Sequence, residues 1–593
     1  MTKKILVSVA WPYANGPLHL GHIAGAYLTA DIFARFNRLL GNDVLMVSGS
    51  DSHGTPVTVT ADEEGITARE VFERSHALFL EAWQKLGISF DLFTHTDTEN
   101  HWAVSQDIFL RNLNKGNIYK ATEKQLYCET ESRFLPDRYI GGECPHCHFA
   151  RARGDQCDNC GRVLDATELL NPRCKFAKDD EPPHRIVVRE SEHFYLDLGK
   201  FERALLDYLA DKDAYWKPNV LTFVRNWLKS GLHGRAITRD MDWGITLPVP
   251  GYDTKRIYVW FEAVIGYYSA SIEWAAHNAA RNRGTPDKWK EWWTKSDDVR
   301  GYYFVGKDNI PFHTIIWPAM LLGYDENLPL PYDVPANEFL NLEGRKFSKS
   351  EHWAVWINDY LKAYDPDPLR YLLSANMPEF ADTDFTWKEF VRRNNDELIA
   401  NWGNLANRVL TFTYKNFEQR VPTPGELTDA DRALLAKSEA AFASVSDALG
   451  RVRFKEAIGI ALEVAREANG YLQVTEPWKT IKVDRARAAT ALYVALRVID
   501  NLKVLFYPFL PFSSDALHRQ LGYTGDLLGA VKLETFHETT RSHTAAVYHP
   551  GKHTQRWTPS QLPPGQLLGE PKALFKKFDD KIAEIEKAKL GKA

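Results

Sequence analysis

Apolar positions alternate between strand-like runs and helical spacing in the first part of this chain and settle into helical spacing in the last. The run ILVSV at 5–9 predicts a short buried strand, and Ile23, Ala26, Tyr27, Ala30, Phe33 and Ala34 then recur at the period of a helix. Between them, Pro12, Asn15, Gly16 and Pro17 predict a tight loop. The run DVLMV at 43–47 predicts a second buried strand. From 119 to 232 this rhythm gives way to an irregular stretch rich in Gly, Cys, Arg and Asp, and from 233 it returns with strand-to-helix patterns at 256–267 and 301–313. The pattern predicts an α/β domain with a parallel, Rossmann-type sheet, residues 1–118 and 233–325, split by an insertion at 119–232. Beyond 390 the spacing is helical throughout: Leu398, Ile399, Trp402, Leu405, Val409 and Phe412, then runs over 430–470 and 485–508, predict an all-α bundle at 390–545. A Pro- and Gly-rich tail, 546–593, closes on a charged helix predicted at 572–589.

Composition adds limits. A length of 593 residues exceeds one core, and roughly three to five domains are expected for it. The formal charge of −5 gives no overall nucleic-acid signal, so any RNA must be met by local surfaces. Lys3 and Lys4 precede an apolar run too short for a secretory signal, and no stretch has transmembrane length. Six cysteines, four of them in a metal-like pattern, suggest a reducing cytoplasm rather than a disulfide framework.

The candidate chemistry starts at the first strand-loop-helix unit. His19 and His22 fall three apart in the opening turn of the helix, so both rings leave one face, with Gly21 between them. Gly21 lets a ligand approach backbone, and a helix start favours phosphate, so a nucleotide site is predicted; a helix start with two surface histidines is the alternative. Asp51 follows the second strand, where open α/β sheets bind ligands, as a candidate partner for an ammonium group or as a helix cap. In the insertion, Cys144, Cys147, Cys157 and Cys160 form two Cys-x-x-Cys turns, which predict one structural Zn²⁺; redox pairs, or ligation by His146 or His148, are the competing readings. A basic loop, 341–350, carries Lys346, Ser348 and Lys349.

These motifs together resemble class I aminoacyl-tRNA synthetases. The HxGH run is similar to their HIGH signature, in the form preceded by Pro12, Tyr13, Ala14, Asn15 and Gly16 that the methionyl-tRNA synthetase family carries. The basic loop resembles the KMSKS loop, with Phe347 at its Met position. The resemblance implies that His19, Gly21, His22, Gly306, Asp308, Lys346, Ser348 and Lys349 bind ATP, with His19, His22, Lys346 and Lys349 acting on the phosphates. It implies that Asp51 holds the amino group of methionine, while Tyr13, Trp260, Ala263, Tyr267 and His313 enclose its side chain. The helical region resembles an anticodon-binding domain, in which Asn404 and Arg408 would read bases and Trp478 would stack on one, although a Trp in a bundle is also ordinary core. Residues 326–389, with the basic loop, correspond to a stem-contact region. The implied reaction is a methionine-tRNA ligase reaction: Mg²⁺-ATP and L-methionine give methionyl-adenylate, and methionine then passes to the terminal adenosine of tRNA(Met). In some relatives, places like those of Cys128 and Cys174 carry a second zinc knuckle; here the partner positions are Glu131 and Ala177, so one zinc is expected. Some relatives also continue into a dimerising domain not seen here, so a monomer, or assembly by other surfaces, is expected. Trp11 and Val264 depart from the family at the amino-acid site. The rival readings are another class I synthetase for an apolar amino acid, for which the insertion is short, and a non-catalytic tRNA-binding paralogue, which would be free to lose motifs that this chain keeps.

Overall fold

A computed structural model describes residues 2–592 apart from 155, 156, 158, 161, 163, 178–181, 350, 553 and 554. Its central sheet contains β1 (Lys4–Val9), β2 (Asp43–Ser50), β3 (Leu92–His95), β4 (Val299–Gly306), β5 (Ala336–Asn337), β6 (Ala530–His537) and β7 (Ser542–His549), in the spatial order β5-β4-β1-β2-β3-β7-β6. The first five are parallel, with Leu6 of β1 opposite Gly301 on one side and Leu45 on the other. Helices cover both faces, so β1 and β2 are buried over most of their length, and their near-continuous apolar runs follow from that. The chain leaves β1 for β2 on one side and reaches β4 on the other. The crevice at the carboxyl ends of these strands is therefore a switch point, the place where such sheets bind ligands.

The insertion is more regular than its sequence suggests. Ile118–Cys128 and Ile186–Leu196 pair along their whole length as an antiparallel ribbon, followed by helices Glu202–Tyr208 and Pro218–Lys229. Much of the ribbon is exposed or half-buried on both faces, so no clean alternation of apolar and polar residues marks it. A small sheet of Ile140–Glu143, Ala152–Arg153 and Leu170–Cys174 sits at its tip with the cysteines.

Two expectations for the second half need correction. The helical region does not run to 545: β6 and β7 form a hairpin, and β7 pairs antiparallel with β3 at the edge of the catalytic sheet. The final helix spans Lys581–Lys587 rather than 572–589, because Leu574, Phe575 and Phe578 press the preceding segment onto the core. The Asn395 side chain fixes it there, donating to the Phe578 carbonyl and accepting from its N–H. The bundle itself follows the predicted pattern, with helices Asn404–Asn416, Asp429–Gly450, Phe454–Thr475 and Arg485–Phe506. It shares one continuous core with a face of the sheet, while the other face and the insertion tip have cores of their own. Among the described residues no helix is long and apolar enough to cross a membrane.

Candidate functional site

The loop after β1 places His19 at the N-cap of the helix, where its Nδ1 accepts the Gly21 N–H at 3.1 Å; His22 Nδ1 accepts the His19 N–H at 3.2 Å. Each ring thus uses Nδ1 as an acceptor, which puts its proton on Nε2 as the outward donor. Burial and mutual repulsion hold His19 well below its ordinary pKa, and burial with the nearby Lys349 takes His22 to about 3. Both are neutral donors at pH 7. Gly21 is obligatory here, since a Cβ would stand 2.9 Å from the His19 ring.

The basic loop arches over these rings. Glu343 and Gly344, at φ +49° and +78°, form a two-residue turn closed by Leu342 and Arg345, which bond each other in both directions. Ser348 and Trp353 pair above it, and the Trp353 indole donates to the Leu342 carbonyl at 2.9 Å. Phe347, the departure from the family motif, lies flat on His19 with centroids 4.4 Å apart. Lys349 reaches Asn15 Oδ1 at 3.1 Å, and crowding by the cleft walls together with Arg138 lowers its pKa to about 8. Lys346 lines the same cleft. Ser348 is spent within the loop, accepting the Glu351 N–H, and does not line the cleft; Ser350 lies outside the described residues.

The cleft has a volume of about 570 Å³ and brings together His19, Gly21, His22, Gly306, Asp308, Lys346 and Lys349 with Tyr13, Asp51, Trp260, Ala263, Tyr267 and His313. That is a common size for a small-ligand site. Asp51 is 3% exposed, and burial with the neighbouring Glu262 carboxylate pushes its pKa well above the usual range. An arriving ammonium would reverse that shift. His313 donates Nδ1–H to the Asn309 carbonyl and so accepts at Nε2 from the Tyr267 hydroxyl at 2.7 Å; burial takes its pKa to about 4. This wall is neutral and its polar atoms are paired, which suits an apolar side chain. The Trp260 indole donates to the Tyr13 hydroxyl.

Sequence reasoning missed several contributors. Arg138 and Arg153 reach the cleft from the insertion, and no local pattern marked them among its many arginines. Behind Asp51, burial would strip His53 of its proton, but Glu262 at 2.9 Å and Asp97 at 3.5 Å overrule it and raise the pKa to about 10. Trp11 lines the cleft and presses on Gly49 and Gly266, where a Cβ would come within 2.1 and 2.5 Å of its ring. Trp11 was not missed, since the sequence marks it as a departure from the family at the amino-acid site; its contacts with the two glycines are what the structure adds.

At the insertion tip the four sulfurs of Cys144, Cys147, Cys157 and Cys160 lie within 4.8 Å of one another, with Cys144–Cys160 at 3.9 Å and Cys147–Cys157 at 3.6 Å. Four thiolates on one tetrahedral Zn²⁺ stand about 3.8 Å apart, so the set fits that ion. In the bundle, Asn404 and Arg408 are exposed, and the Arg408 guanidinium lies 4.5 Å from the ring of the half-buried Trp478.

Comparison with known proteins agrees with this layout. The family described as "tRNA synthetases class I (M)" matches residues 5–410, and "Anticodon binding domain of methionyl tRNA ligase" matches 421–592. The chain is 54% identical to a "Methionine--tRNA ligase" of Thermomicrobium roseum over 592 residues, covering 100% of this chain and 99% of that one. It is likewise 54% identical to one of Roseiflexus castenholzii over 603 residues, with the same coverage. Among solved structures it resembles the Mycobacterium tuberculosis methionyl-tRNA synthetase in complex with methionyl-adenylate, with a TM-score of 0.76 and 26% identity over 97% of this chain and 100% of that one.

Proposed function

Since the chain belongs to the methionyl-tRNA synthetases of class I, we propose that this cleft carries out the family's two-step ligation with side-chain roles that its geometry supports. In the first step the methionine carboxylate attacks the α-phosphorus of ATP, and the bond to pyrophosphate breaks. In the second, a hydroxyl of the terminal adenosine of tRNA(Met) attacks the acyl carbon, and AMP leaves. Covalent participation by the protein is not needed: it positions the reactants and stabilises charge on the phosphates.

The observation that carries this reading is the pairing of two neutral Nε2–H donors, on His19 and His22, with the cation of Lys349 in one cleft that also holds the buried Asp51. The donors and the lysine meet developing charge on the phosphates, with Lys346 beside them. Asp51 takes the methionine ammonium, Tyr13, Trp260, Ala263, Tyr267 and His313 surround the side chain, and Gly306 and Asp308 meet the adenosine. Mg²⁺ arrives on the nucleotide's phosphates and shields their charge. Zn²⁺ on the four cysteines is structural, for a closed thiolate shell leaves no position for water. Asn404, Arg408 and Trp478 offer edge and stacking contacts to the anticodon. Free thiols suit a reducing cytoplasm.

The test is amino-acid-dependent ATP–pyrophosphate exchange across the standard amino acids. Methionine should drive exchange far better than any other; stronger exchange with a different amino acid would overturn the substrate assignment.

A further inference from the structure

Directly behind Asp51 lies a chain of buried charged groups. His53 follows Asp51 by two residues, and its N–H donates to Asp51 Oδ1 at 3.4 Å. Its side chain is 1% exposed and its ring is flanked edge-on by Trp102 and Trp243, at centroid distances of 6.0 and 5.6 Å. Each ring nitrogen faces a carboxylate. Nδ1 is 2.9 and 3.1 Å from the two oxygens of Glu262, and Nε2 is 3.5 Å from Asp97 Oδ1. A neutral imidazole would aim a lone pair at one of these anions, so the geometry calls for a proton on both nitrogens, an imidazolium.

Groups from the neighbouring elements fix this arrangement. On the helix Glu99–Asn114, His101 Nε2 stands 3.2 Å from Glu262 Oε2. Arg69, on the helix Ala68–Leu86, reaches Asp97 Oδ2 at 2.8 Å, and Arg541, from the turn between β6 and β7, reaches the same oxygen at 3.0 Å. The two arginines take Oδ2 and leave Oδ1 to His53. His95 of β3, which also feels the charge of His53, is kept neutral by burial. The carboxylates explain why a cation is needed among them. Glu262 is fully buried, and its charge opposes ionisation of Asp51, whereas His53 favours the charged form of both. An amino-acid substrate brings a single ammonium to these two buried acids.

We propose that His53 is a positioning residue for methionine: its imidazolium, set between Glu262 and Asp97, is the internal counter-charge that lets Asp51 and Glu262 be ionised together when the ammonium arrives. This rests on the assignment of Asp51 to that ammonium. On binding, Asp51 gives its proton to solvent and His53 keeps both of its own, so no bond forms or breaks in the protein beyond that O–H. Without the charge on His53, Asp51 would have to ionise against Glu262 alone, and methionine would bind only at higher pH.

The experiment titrates full-length protein with L-methionine, without ATP, by calorimetry at several pH values. His53→Asn offers Glu262 a neutral amide. It should weaken methionine binding at least about ten-fold near neutral pH and move the midpoint of its pH dependence upward, since each unit added to the Asp51 pKa weakens binding about ten-fold below that midpoint. KM for ATP at saturating methionine should stay within about three-fold of wild type. His53→Asn/Glu262→Gln removes both charges and should restore methionine affinity to within about three-fold of wild type, where a structural role would make the second change add to the loss. The double variant strands no charge, so it serves even if His53→Asn does not fold. Undiminished binding in His53→Asn, or a double variant that binds as poorly as Asp51→Asn, would overturn the proposal and leave the Asp51 assignment standing. An Asp51→Asn protein that binds methionine as wild type does would overturn that assignment and the proposal together.

Discussion

In the proposed mechanism His22 and Lys349 meet the same phosphates by different means. With its pKa at about 3, His22 is a neutral donor throughout the working range, whereas Lys349, at about 8, is a cation that titrates within reach of it. Lys349→Ala should slow adenylate formation by roughly 10²–10³-fold, the scale for removing one preorganised donor, while methionine binding measured directly changes little. The titration adds a sharper test. As pH rises through about 8 the ammonium of the free enzyme loses its proton, so kcat/KM for ATP should fall. Bound polyphosphate raises that pKa, so the limb in kcat lies higher. Lys349→Arg should flatten both limbs; a fall that persists in the variant belongs to another group. Asp51 carries the opposite sign. Its pKa is raised by burial and Glu262, and the ammonium ligand favours the carboxylate, so methionine binding should strengthen with rising pH and release a proton. Calorimetry in buffers of different ionisation enthalpy reads that proton, and Asp51→Asn should abolish both the release and the pH dependence. The residues of this site were legible where they sat in motifs. Arg138 and Arg153 were not, because what brings them to the cleft is the path of the insertion through space.

At the scale of elements, β1 and β2 stood out because burial on both faces leaves an unbroken apolar run. The ribbon of the insertion and β6 did not, since strands partly exposed on both faces carry no such signature, and the buried run of β7, Ala545–Tyr548, is only four residues long and opens on two alanines. Equally silent were the π-helical turns. The described structure has them at Ile23–Tyr27 directly after His22, at Phe312–Ile316 around His313, and at Arg393–Gly403 directly before Asn404. A π-turn swings the next side chain away from α-helical register, and each one here abuts a candidate functional residue. The insertion tip and the bundle can be tested separately. Cys144→Ser should lose one zinc equivalent and open the tip to protease, because a closed thiolate site contributes folding free energy. Trp478→Ala should weaken tRNA binding by about 1–3 kcal/mol, the value of one base–aromatic stack, and leave pyrophosphate exchange without tRNA intact. If exchange falls together with charging, Trp478 serves the core.

For the whole molecule, the decisive joint is a buried ion cluster behind the histidine helix. Asp31 on that helix meets Arg35 at 2.9 Å and Arg370 at 2.7 Å, and Arg370 donates to the carbonyls of Pro508 and Phe509 beyond the last long helix of the bundle. Burial opposes ionisation of Asp31, but the two arginines win and hold its pKa at about 2. Its contribution is therefore present above about pH 4 and is lost as pH falls toward 2. Arg370→Met leaves Asp31 paired with Arg35 but takes the buried donor from the Pro508 and Phe509 carbonyls, so it should cost about 1–3 kcal/mol and appear as a lower urea midpoint. The hairpin of β6 and β7 has a further consequence, in time rather than in space. The edge of β3 is completed by β7, a partner encoded more than four hundred residues later. A ribosome adding about 5–20 residues per second needs on the order of tens of seconds to cover that interval. For that long the nascent catalytic sheet keeps an open edge at β3, so this is where a chaperone, or a second nascent chain, has its opportunity.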